Sequence, residues 1–141
     1  MKPFKFKQFE IQQSRDVFRV GTDGVLLGAL ADVELASSVL EVGTGSGLIS
    51  LMLAQRNSQA DFLGLDINED AVALTKLNFE NAPFHVRLKN IHQDFKTFEA
   101  KEKFDLIVSN PPYIPDSDRH LEEGDVRFEP VSALVSGRDS L

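Results

Sequence analysis

The chain has 141 residues, 42% of them hydrophobic and 26% charged, with a formal net charge of −7 and no cysteine. That balance describes one ordinary globular domain and excludes a disulfide framework or a thiolate metal site. His85, His92 and His120 are too scattered for a ligand set, so no metal is expected. No apolar run is long enough to span a membrane and "MKPFKFKQFE" lacks a signal peptide's apolar centre, so no membrane association and a cytoplasmic location are expected.

In chain order, "FKFKQFEI" alternates apolar and polar residues with a slip at Lys7-Gln8, which predicts a bulged strand. "QQSR" reads as a turn and "DVFRV" as a second strand, closing an N-terminal β-hairpin. Thr22 or Asp23 is a candidate cap for a short helix carrying Val25, Leu26 and Ala29. From Ser38 the pattern becomes regular. "SVLEV" reads as a buried strand, "GTGSG" as a turn and "LISLMLAQR" as a helix. "ADFLGLD" is a strand ending in an acid, and Asn68 caps a helix over "NEDAVALTKLNFEN". "FHVRLKNI" and "KFDLIVS" are two further strands, the last stopped by "NPPY" at 110–113. Apolar strands alternating with helices predict a parallel sheet with helices on both faces, a doubly wound, Rossmann-like α/β fold.

Three glycines, Gly43, Gly45 and Gly47, stand between a strand and a helix, where only glycine takes the required backbone without strain. The helix behind them offers unpaired N–H groups. Asp66 ends the next strand, 19 residues beyond Gly47, within reach of a ribose hydroxyl pair. The spacing is not that of the dinucleotide fingerprint, because Leu48 occupies the place of its third glycine. Glu41, two residues before the first glycine, is expected to face a cationic ligand group. Glu41, the glycines and Asp66 together point to a nucleoside that carries positive charge.

"VLEVGTGSGLISLMLAQ" with "LGLDINEDAV" resembles the cofactor motifs of class I S-adenosylmethionine-dependent methyltransferases. The resemblance implies S-adenosyl-L-methionine as cofactor, with Glu41 supporting its methionine end and Asp66 holding its ribose. "HQDF" is similar to the next family motif, which implies adenine contacts from Asp94 and Phe95. "NPPY" matches the tetrapeptide of family members that methylate planar nitrogens: adenine N6, cytosine N4 or a glutamine amide. Asn110 and the Pro111 carbonyl, held by the rigid Pro-Pro backbone, would accept hydrogen bonds from such a nitrogen, and Tyr113 would stack on it. The family sheet has seven strands, and candidates for only its strands 1–4 are visible here, so "KFDLIVS" is expected at a sheet edge open to self-association.

Residues 4–30 resemble the start of bacterial tRNA adenine N6-methyltransferases acting in the anticodon loop of a valine tRNA. In those enzymes the "VGTDG" segment lies over the cofactor, which makes Thr22 and Asp23 candidate contacts. The tail, "HLEEGDVRFEPVSALVSGRDSL", resembles instead the release-factor glutamine methyltransferases. Charge divides the same way. Residues 1–20 hold five basic side chains against two acids, whereas 116–141 hold seven acids against three arginines. Adenine N6 in tRNA is the first expectation and a release-factor glutamine the alternative. A cofactor-binding or structural fragment without turnover is the reading of another class, and a natural enzyme, a truncation and a chimera stay open. The expected organisation is a hairpin-and-helix unit over 1–31, followed by a C-terminally truncated cofactor-binding domain over 32–141.

Overall fold

The computed structural model describes residues 2–17 and 20–110. The N-terminal hairpin is tighter than its sequence suggests. Strand β1 (Phe4–Lys5) pairs antiparallel with β2 (Glu10–Ile11), and the turn closes where Phe6 N donates to Phe9 O at 2.8 Å. Phe6 and Phe9 stack across the turn with ring centroids 4.7 Å apart, so "FKFKQFEI" folds back on itself instead of forming one bulged strand. The segment expected as the hairpin's second strand is not one where it is described. Asp16 and Val17 lie in a turn, and residues 18 and 19 fall outside the described residues.

Helix α1 (Thr22–Leu30) starts after Gly21, and neither Thr22 nor Asp23 caps it. Next come β3 (Ser38–Val42), α2 (Leu48–Arg56), β4 (Asp61–Asp66) and α3 (Glu69–Glu80). The α3 start follows its sequence signal, as Asn68 Oδ1 accepts from Ala71 N at 3.0 Å. Buried Ala71, Leu74, Thr75, Asn78 and Phe79 make its inner face, at helical spacing. Strand β5 (Leu88–His92) begins four residues later than "FHVRLKNI" implies. Residues His85–Arg87 form a single-turn 3₁₀ helix, from which Arg87 reaches back to the carbonyls of Ala54, Asn57 and Ala60 at and just beyond the end of α2. Strand β6 (Leu106–Ser109) likewise starts late, and Asp105 before it accepts from Ser37 N and Ser38 N at 2.7 and 3.2 Å.

The sheet order is β5-β4-β3-β6 with every pairing parallel. The chain moves outward from β3 to β5, then crosses back to lay β6 on the other side of β3. This reversal leaves a crevice at the C-terminal ends of β3 and its neighbours, where open α/β sheets bind ligands. Residues of all three helices join Val39, Phe62, Leu106 and Val108 in the main core. Leu40, Leu65 and Phe104 form a second cluster on the opposite face, with Phe98 and Ile107 packed against it. Among the described residues β6 is the edge strand on its side. No helix of the described residues is long and apolar enough to cross a membrane.

Candidate functional site

The turn after β3 has left-handed backbone at Gly43, Gly45 and Gly47. These glycines do different work. A Cβ on Gly43 would meet nothing within 4 Å, so its face is open space, whereas one on Gly47 would come within 3.0 Å of the Phe79 ring. Gly47 thus serves packing against α3, and Gly43 keeps a floor clear. The turn is fastened from outside. Gly43 N and Thr44 N donate to Leu65 O at 2.7 and 3.2 Å. Thr75 Oγ1 donates to Gly45 O at 2.9 Å, and Asn78 Nδ2 donates to Ser46 O at 2.7 Å.

Two of the expected acids stand at or just past strand ends, and one of them, Asp66, is fastened to this turn. Asp66 Oδ2 accepts from Gly45 N at 3.0 Å and its Oδ1 from Asn68 N at 2.9 Å, which orients the carboxylate while leaving acceptor capacity unused. Asp94 Oδ1 accepts from Lys96 N at 2.9 Å, capping the single turn Phe95–Thr97. Glu41 behaves otherwise. Its side chain is buried, and Oε1 accepts from Ser50 N at 3.2 Å and Ser50 Oγ at 2.7 Å. Burial pushes its pKa up to about 8; the Ser50 hydrogen bonds oppose this, and the Asp66 charge adds to it. Expected to face a cationic ligand, Glu41 instead braces the N-terminus of α2 under the turn.

A cavity of about 740 Å³ opens above the turn, well within the size range of small-molecule sites. Eight of the residues singled out from the sequence line it: Thr22, Asp23, Gly43, Gly45, Asp66, Asp94, Phe95 and Asn110. Glu41 and Gly47 do not. Pro111 and Tyr113 lie outside the described residues. Asn110 follows β6 directly, and a Cβ on Gly24 would stand 3.4 Å from its Nδ2, so the first turn of α1 and the end of β6 share one wall. Asp16, Val17, Ile67 and Ser109 also line the cavity and escaped the sequence reading. Ile67 had a signal: an apolar residue directly after a strand-ending acid, 67% exposed in the fold. Val17 had none, since its packing on Ala71 and Leu74 joins segments far apart in sequence.

A parallel sheet reversing at β3, with a glycine turn and acids at its strand ends, defines a Rossmann-like nucleoside-binding fold. The chain belongs to the methyltransferase small domain family, whose model matches residues 12–125. It is 57% identical over 113 residues to the tRNA1(Val) (adenine(37)-N6)-methyltransferase of Flavobacteriaceae bacterium (strain 3519-10), covering 80% of this chain and 49% of that protein. It is 47% identical over 115 residues to the protein of that name from Bacteroides thetaiotaomicron, covering 81% of this chain and 48% of that one. The chain therefore spans about half the length of these curated relatives. A solved S-adenosylmethionine-dependent methyltransferase from Thiobacillus denitrificans, in complex with S-adenosyl-L-homocysteine, shares the fold at a TM-score of 0.57 and 22% identity, over 70% of this chain and 40% of that one.

Proposed function

We propose that the chain carries an S-adenosylmethionine-dependent N-methyltransferase site acting on adenine N6 in the anticodon loop of a tRNA. One observation carries the reading: Asn110, at the end of β6, lines the same cavity as the glycine turn, Asp66 and Asp94. The names of the relatives support the substrate, and a cytoplasmic location goes with it.

The residues present fit the cofactor. Open space over Gly43 accepts a ligand that any larger side chain would displace. Asp66, oriented by Gly45 and Asn68, has acceptor capacity left for ribose hydroxyls, and Asp94 has it for an exocyclic amino group. Ile67 and Phe95 line the cavity with exposed apolar surface that a planar base would cover. When bound, the cofactor supplies a methyl group on a sulfonium, open to displacement by a nitrogen lone pair. The side-chain oxygen of Asn110 accepts an N–H of the incoming amino group and holds its lone pair in line, which contributes through positioning and needs no strong base. Pro111 and Tyr113 are assigned to the same acceptor. Residues 1–31 are the unit that closes one wall of the site, and 32–141 the part that binds the cofactor.

Incubation with labelled S-adenosylmethionine and either total tRNA or release factor tests the reading. Label is expected in tRNA, and Asn110→Ala should abolish transfer while leaving cofactor affinity within a few-fold. Label in release factor would favour the glutamine alternative, and normal turnover by the variant would remove Asn110 from the chemistry. We further propose self-association through β6, the edge strand of the described sheet. A monomer by light scattering would refute it.

A further inference from the structure

Over its described lining, the cavity offers nothing to the phosphates of a nucleic acid. Its lining includes Asp16, Asp23, Asp66 and Asp94 and, among the described residues, no lysine or arginine. Phosphates approaching that rim meet like charge, so affinity for a polyanion must come from elsewhere on the chain.

The N-terminal hairpin has what the rim lacks. Residues 2–13 carry Lys2, Lys5 and Lys7 against the single acid Glu10, and all three lysines are exposed. Only Lys5 has an ionic partner among the described residues, at 3.8 Å from Glu10 with both side chains well exposed. The hairpin also carries a column of aromatic rings running out of the core. Phe84 meets buried Phe9 edge-on at 6.0 Å, Phe9 stacks on Phe6 at 4.7 Å, and Phe6 leans on Phe4 at 5.1 Å. The column ends at Phe4, which is 40% exposed. Beside it lies a hollow of about 540 Å³ between Lys5, Phe6, Lys7 and the loop at Asn81 and Pro83.

The arm is held firmly at its root. Buried Asn78 accepts from Gln12 N at 2.7 Å and donates to Gln12 O at 3.1 Å and to Ser46 O at 2.7 Å. One side chain thus joins the base of the hairpin to the glycine turn next to Gly45, which lines the cavity. A ligand held on the hairpin is held in a set relation to the site.

We propose that the hairpin over residues 2–13 is the docking arm for RNA, its lysines meeting the phosphates and Phe4 stacking on an unpaired base. This rests on the tRNA reading above. Binding of labelled tRNA, titrated across a range of salt, tests it. A triple variant, Lys2→Ala with Lys5→Ala and Lys7→Ala, is expected to bind roughly ten- to a hundredfold more weakly, with a log–log salt slope lower by about 2. Phe4→Ala should weaken binding roughly five- to a hundredfold and leave the slope unchanged. The triple Lys→Arg variant should bind like the parent, and S-adenosylmethionine affinity and melting temperature should hold in all three. Parental tRNA affinity and slope in both alanine variants, with methyl transfer to tRNA intact, would overturn the docking arm and leave the function standing. A parent chain that neither binds nor methylates tRNA would overturn the function itself. Loss of release-factor binding in place of RNA binding would assign the arm to a protein.

Discussion

The two ends of α2 differ in what they do with unsatisfied backbone. At its C-terminal end side chains close off most of the nearby polar groups, and Gln55 Oε1 is left buried without a partner. Asn57 Nδ2 donates to Val33 O and Ala36 O at 2.7 and 2.8 Å, and its Oδ1 accepts from Gln59 N and Ala60 N. Arg87 donates to the carbonyls of Ala54, Asn57 and Ala60, and Arg56 to that of Gly28. The N-terminal end is braced too, by Glu41 on Ser50 and Asp66 on Gly45, yet the backbone between them has open space at Gly43. The arginine donors at one end and the Asp66 carboxylate at the other follow the sign of the helix dipole. The helix is thus largely closed at one end, while the turn before its other end lines the cavity.

The sharpest way to break this contrast is Asn57→Ala. It removes four hydrogen bonds and leaves the Ala36 carbonyl without a buried donor, while the Val33 carbonyl keeps only Ala36 N, so urea denaturation should show a loss of about 3–4 kcal/mol. The folded fraction should keep its affinity for S-adenosylmethionine; weakened affinity at unchanged stability would mean that the ends are not separate. Asp66→Ala should do the reverse. Calorimetric titration should find S-adenosylmethionine binding weaker by about ten- to a hundredfold, or about 1.5–3 kcal/mol, with a smaller loss of stability. Equal affinity would take Asp66 out of the site.

Glu41 sharpens the comparison through pH. Its folded pKa, about 8, lies above the ordinary 4.5, so the folded state holds a proton that the unfolded chain releases. The resulting stability is full below the unfolded value and is lost as pH rises through about 8. Between pH 6 and pH 8 the loss should be about 2 kcal/mol, and Glu41→Gln should flatten it. A slope that survives in the variant would place the titrating group elsewhere.

Much of this molecule is decided by neighbours in sequence. The strand "SVLEV", the glycine turn, the helix behind it and the Asn68 cap obey local rules, because backbone conformation and capping depend on residues a few positions away. The same holds for Asp66 and Asp94, which end at the cavity because strand ends in a parallel sheet converge on one rim. Tertiary structure alone decided the rest. Glu41 and Asp66 are both strand acids beside the glycines, but only the fold turns one inward to Ser50 and the other toward the cavity. The hairpin closes early because Phe6 and Phe9 can stack across a short turn and Phe9 can bury against Phe84, a contact that alternation does not reveal. Asn78 sits on the inner face of α3, where periodicity alone implies an apolar residue. Its value comes from Gln12, 66 residues earlier, and Ser46 arriving at the same spot. A buried polar side chain takes its partners from packing, and packing between distant segments leaves no local trace in sequence.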